Sequence, residues 1–182
     1  MSKIIIFSRV FPSYHPKSGE ETFFVEKILK GLINNNVYPL VGKNSLNIPI
    51  SMIDKIKECE PKYHTIRAGN RWKDGDKFSP RVWSGKPYRS KQIIIAPDIE
   101  IKKIWNIEIK NRDFYLCENE GCLFDLVNSI SPIKTETLGN IANNDGLELM
   151  DFLAWFQFPK PFKGQIICWN GRVVNFKPKE QK

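Results

Sequence analysis

Residues 60–95 read EPKYHTIRAGNRWKDGDKFSPRVWSGKPYRSKQIII, and both the fold and the chemistry of the chain turn on this stretch. Turns at Gly69, Gly75 and Gly85-Lys86-Pro87 divide it into three short runs, 62–67, 76–83 and 91–96, whose composition predicts strands. From Lys62 to Lys91 it carries nine lysines or arginines against two carboxylates, Asp74 and Asp76, a balance of +7 in a chain of net charge +8. Tyr63, Trp72, Phe78, Trp83 and Tyr88 are threaded through these charges. Cations neutralise phosphates and flat rings offer faces to unpaired bases, so the pattern points to a polyanionic or nucleotide ligand. The same letters also suit a solvated charged face over rings that point into the core.

Outward toward the start, 3–10 (KIIIFSRV) is apolar and β-branched and predicts a buried first strand. The prolines at 12 and 16 hold the next residues extended, and His15 among them reads as a loop residue bonded to its surroundings. Phe24, Val25, Ile28, Leu29 and Leu32 then share one face at helical period, predicting a helix over 20–33 with Glu20 and Glu21 at its positive end. Residues 37–51 read as loop and 51–59 as a short helix stopped by Pro61.

Beyond the basic stretch, 100–109 alternates as a longer strand, and 111–113 makes a hairpin tip before a strand at 114–117. Residues 118–131 follow no single period. Helices are expected over 135–143 and 147–156, the second with Leu149, Phe152, Leu153 and Phe156 as its buried stripe. A strand at 164–169 closes the sequence before a polar tail at about 177–182. These elements imply an α+β fold with a curled, barrel-like antiparallel or mixed sheet, and no strand–helix alternation of the doubly wound kind.

Composition narrows the classes further. A chain of 182 residues suits one domain and is long enough to bury about 70% of its unfolded surface. No apolar run approaches the length of a membrane span and the start lacks a signal-peptide pattern, so a cytoplasmic protein without a membrane partner is expected. Cys59, Cys117, Cys122 and Cys168 show no C-x-x-C spacing, and His15 and His64 are the only histidines. Reduced thiols and no metal site follow. Signatures for dinucleotide binding, phosphate cradling, nucleophile elbows and zinc peptidases are all missing, and no cofactor is expected.

Lys62-Tyr63-His64-Thr65-Ile66-Arg67, followed by Trp72-Lys73-Asp74-Gly75-Asp76-Lys77-Phe78, resembles the ASCH domain family, whose pattern is a K-x-x-T-x-R strand and a G-D turn into the next strand. The aromatic-rich helix at 22–29 and the late Asp145-Gly146-Leu147 before a helix are also similar to the family. The resemblance covers scattered segments from about residue 20 to 169. It implies a single domain over 1–182, with a PUA-like small curled β-barrel, an early helix and two late helices packed on it. The 34–60 segment is then an insertion, and residues 11–20 look like longer relatives carried by bacteriophages.

The resemblance implies a cleft lined by the lysine strand that receives an RNA strand, a flipped base or a modified nucleoside. Its ligand-binding candidates are Lys62, His64, Arg67, Arg71, Trp72, Arg81, Trp83, Lys86, Tyr88, Arg89 and Lys91. Some small ASCH proteins are amidohydrolases that deacetylate acetylated cytidine with a lysine, a threonine and a glutamate, which map to Lys62, Thr65 and Asp145. Asp145 is one methylene short of that glutamate, and Glu148 is its alternative. In a regular strand residues 62 and 65 point to opposite faces, so they meet only if Lys62 lies in the turn after Pro61 or beside a bulge. The four cations and two rings from Arg81 to Lys91 exceed what one small pocket needs, which favours binding of RNA or a nucleotide over hydrolysis. A protein-interaction module with an acidic partner is the third reading.

Overall fold

The structure is a computed structural model that describes residues 2–37, 48–110, 113–117, 135–157 and 161–170. In chain order the elements are β1 (Lys3–Ile6), α1 (Phe24–Asn34), α2 (Ile50–Glu58), β2 (His64–Ala68), β3 (Lys77–Trp83) and β4 (Gln92–Ile94). There follow β5 (Ile99–Glu100), β6 (Lys103–Lys110), β7 (Asp113–Cys117), α3 (Thr135–Asn144), α4 (Leu149–Trp155) and β8 (Phe162–Cys168). The fold is α+β, as the sequence predicts, and none of the described helices is long and apolar enough to cross a membrane.

The strands form two four-stranded sheets. In the first, β3 is central, with β1 parallel on one side and β4 and β5 antiparallel along the other. The second runs β2-β8-β6-β7 and is wholly antiparallel. Among the described residues these sheets do not close into a barrel. The expected single curled sheet divides because the 100–109 strand breaks after Glu100. The backbone of Ile101 there turns to Asp76 and Gly75, and the chain passes from β5 in the first sheet to β6 in the second.

One apolar core joins both sheets to the helices, with Ile28 and Leu32 of α1, Ile141 of α3, Phe152 of α4 and Ile166 of β8 all buried in it. Trp169 links the sheets through edge contacts with Phe7 (6.3 Å) and Phe78 (5.7 Å). Gln165 clamps the loop before β3, accepting from the Trp72 amide at 3.0 Å and donating to its carbonyl at 3.1 Å. Asp76 pairs with Lys3 (2.6 Å) and Asp74 with Lys103 (3.4 Å). Such exposed pairs contribute about 0–1 kcal/mol each.

The loop after β1 is fixed to α4. His15 stacks on Phe11, donates through Nε2 to the Asp151 carbonyl (3.0 Å) and accepts the Lys17 amide at Nδ1 (3.1 Å). Lys17 also pairs with Asp151 at 2.7 Å. This packing uses up Glu20 and Glu21, the latter bridging Val10, so α1 starts at Phe24 instead of Glu20. Of the 34–60 segment, α2 packs on α1 through Lys30, which donates to the Lys57 carbonyl at 2.8 Å. Residues 38–47, 118–131 and the tail from 177 lie outside the described residues.

Candidate functional site

The site is built on a two-residue junction before β2. The Lys62 amide donates to the Lys27 carbonyl of α1 (2.9 Å), and the Tyr63 amide to the Asn144 carbonyl at the end of α3 (2.7 Å). The Tyr63 carbonyl accepts from the Trp169 amide at 3.1 Å. Lys62 is therefore held by helices rather than by the strand ladder, which begins at His64. That placement resolves the spacing problem, because Lys62 and Thr65 reach the same cleft without a bulge.

Two glycines make the junction fit. A Cβ on Gly31 of α1 would overlap the Lys62 carbonyl, and one on Gly146 would lie 3.2 Å from both Lys62 Cβ and Lys27 Cδ. Gly146 also has φ +74°, which closes the turn that carries Asp145. Gly31→Ala is expected to lower stability by about 1–3 kcal/mol, although alanine is the better helix former, because α1 and the Lys62 peptide must separate. Urea unfolding measures this, and a neutral or stabilising result would contradict the close approach.

The Lys62 side chain is only 1% exposed. Its Nζ lies 2.7 Å from Asp145 Oδ1, bonds the Asp145 carbonyl and sits 4.3 Å over the Phe24 ring. Burial lowers the lysine pKa to about 8 against the pull of Asp145, with Arg67 and Lys27 lowering it further. Burial likewise raises the Asp145 carboxyl, and Lys62 opposes that rise. Glu148 is exposed at the start of α4 and borders a different cavity, so Asp145 is the carboxylate that meets the lysine.

Thr65 and Arg67 alternate along β2 and both line the cleft with Lys62 and Asp145. Arg67 donates from Nη2 to the Ile6 carbonyl (2.8 Å) and lies 5.2 Å over the Phe7 ring. Burial lowers its pKa to about 10, which leaves it charged at neutral pH. The cleft holds about 480 Å³, within the range of small-molecule sites. Its walls are residues 6–10, Phe24, Trp155 and Phe156, and its rim is Trp83, Gly85, Pro87 and Tyr88. The Trp83 and Tyr88 rings are 5.4 Å apart. Tyr88 is 89% exposed at φ +62°, a conformation uncommon for a bulky residue.

Of the residues singled out in the sequence, the cleft brings together Lys62, Thr65, Arg67, Asp145, Trp83 and Tyr88. His64 is buried behind Asp145. Trp72, 2% exposed, belongs to the core, with Arg71 over its ring at 5.2 Å. Arg81 is engaged by Ser79 Oγ and Gln92 Oε1, both at 3.1 Å. Lys86, Arg89 and Lys91 are exposed around the loop that forms the rim but do not line the cleft. Sequence reasoning missed Ser8, Arg9 and Glu21, which reach the cleft through the parallel pairing of β1 with β3 and the bridge at Val10. No local spacing in residues 8–21 signals that contact.

Among the described residues no three His, Cys, Asp or Glu side chains converge where a metal ion could be held. The chemistry of the cleft rests on one buried and one half-buried cation, a carboxylate, a hydroxyl and an aromatic rim. The chain matches no protein-family model, no curated protein and no solved structure, so this geometry stands on its own.

Proposed function

We propose that the chain is an ASCH-type domain whose cleft over Lys62 binds a nucleotide or modified nucleoside, free or within single-stranded RNA. The observation that carries this reading is the meeting of buried Lys62 and half-buried Arg67 with the Trp83–Tyr88 rim around one cavity of about 480 Å³. A base stacks at the rim, while its polar edge or phosphate reaches the cations below. Lys86, Arg89 and Lys91 then track the backbone of a longer strand outside the cavity. On this reading the two sheets are the parted halves of a PUA-like barrel, joined where Ile101 carries the chain from β5 to β6.

Titration with cytidine 5′-monophosphate and with a short single-stranded RNA tests the proposal. Trp83→Ala is expected to weaken binding of both by about 1–3 kcal/mol, roughly 5- to 150-fold. The RNA, but much less the mononucleotide, should lose affinity steeply with salt. Unchanged affinity in Trp83→Ala would contradict stacking at the rim.

A second reading, hydrolysis of an N-acylated nucleoside such as acetylated cytidine, is favoured by one observation: Lys62 has a pKa near 8 and shares the cleft with Thr65. Neutral Lys62 takes the Thr65 hydroxyl proton as the oxygen bonds to the acyl carbon, and passes it to the nitrogen as the C–N bond breaks. Water then hydrolyses the threonine ester. Asp145 orients the lysine throughout.

A further inference from the structure

His64 is a buried titratable side chain that the cleft does not use. It is 1% exposed and, by the two-residue alternation of β2, lies on the face opposite Thr65 and Arg67. Neither ring nitrogen completes a hydrogen bond, although the Ile141 carbonyl of α3 approaches the ring. Its Nε2 stands 3.9 Å from Asp145 Oδ1, the same oxygen that holds Lys62 Nζ at 2.7 Å. Asp145 Oδ1 thus has an ion-paired ammonium on the cleft side and an unbonded imidazole behind it. Buried polar groups are nearly always bonded, so two unbonded nitrogens beside a carboxylate call for a state in which they are used.

We propose that His64 is a positioning residue, the reserve partner of Asp145. When a ligand oxygen draws the Lys62 ammonium into the cleft, the imidazole moves by roughly 1 Å to hydrogen-bond distance and donates Nε2–H to Oδ1. The carboxylate then stays in place and is not left unpaired, which is the costly outcome for a buried charge. Lys62 can therefore leave for a ligand more readily than its buried pairing alone would allow. The inference rests on the reading of the cleft as a ligand site, although its test needs no ligand.

The groups around the imidazole set the signs. Lys62 faces it from the junction, Asp145 from the α3–α4 turn and the Ile141 carbonyl from α3. Cys168 is its register partner on β8, while Arg67 and Lys27 act on Asp145. Burial first, and the Lys62 charge second, hold the His64 pKa down at about 3. Removing the lysine charge takes away a group that lowers this value and leaves a carboxylate that raises it.

Nitrogen-15 NMR of the imidazoles is the test, with His15, already bonded at both nitrogens, as the internal reference. In Lys62→Met, which removes the second cause and leaves the burial, the His64 titration is expected to climb from about 3 by at least about one pH unit, with Nε2 protonated. In the unmodified chain, raising the pH from about 7 to about 9.5 deprotonates Lys62, and the same Nε2–H form should appear with a hydrogen-bonded shift. A His64 signal unchanged through both experiments would overturn the proposal. Should Lys62→Met not fold, the pH series on the unmodified chain decides alone. A cleft that ignores cytidine 5′-monophosphate would sink the functional reading and leave these His64 outcomes as they are, so the two failures are distinct.

Discussion

Asp145→Ala is expected to lower the unfolding free energy by about 3–5 kcal/mol, because it leaves the Lys62 ammonium buried with no counter-ion. Lys62 and Asp145 are both buried and 2.7 Å apart, so water cannot compensate. The lost carboxylate is also the group that raises the lysine pKa, which must then fall below its present value of about 8. Part of the cost is consequently met by proton release, and the variant should recover stability as the pH rises. The sign follows because the unfolded chain still binds that proton up to about pH 10.4 while the folded chain does not. Replacing both partners with apolar residues of similar volume, Lys62→Met with Asp145→Leu, should restore much of the loss. Urea unfolding of the two variants checks both statements, and a loss below about 1 kcal/mol for Asp145→Ala would mean that the pair is not buried as described.

The pH dependence of the cleft separates the two functional readings by sign. If Lys62 binds an anionic oxygen, the protonated form does the work, and affinity for cytidine 5′-monophosphate falls as the pH passes upward through about 8. If Lys62 is a general base, the neutral form does the work, and turnover of acetylated cytidine rises over the same interval and then levels. Lys62→Gln removes the charge while keeping a donor. It should weaken mononucleotide binding by about 1.5–3 kcal/mol and abolish the pH dependence. In the catalytic reading it should instead slow turnover by about 10²–10⁴-fold. Binding that is unaffected by Lys62→Gln and flat between pH 7 and 9.5 would remove the lysine from either role.

Most elements are legible in the sequence because their residues follow one local period. The apolar stripe of α1 and the alternation of Trp105, Ile107 and Ile109 in β6 each fix an element to within a few residues of its observed span. What escapes is non-local. The parallel pairing of Lys3–Ile6 with β3 joins residues about 75 positions apart, and nothing in either segment announces the other. The division into two sheets depends on the backbone of one residue, Ile101. The site shows the same split. Lys62, Thr65 and Asp145 are visible as a motif, yet their meeting depends on Gly31 admitting the Lys62 carbonyl beside α1, which no motif records. Trp72 lies among exposed cations in the sequence but is core, because Gln165 of a distant strand clamps its backbone.

The five tryptophans offer the most direct test of the cleft, since they sample different places in one molecule. Trp83 and Trp155 line the cavity, whereas Trp72 and Trp105 are buried away from it. Indole N–H signals should be followed by NMR while cytidine 5′-monophosphate is added. Binding in the cleft predicts saturable shifts at Trp83 and Trp155 with Trp72 and Trp105 unmoved. Shifts confined to Trp72 or Trp105, or no saturable shift at Trp83, would contradict the cleft as the nucleotide site.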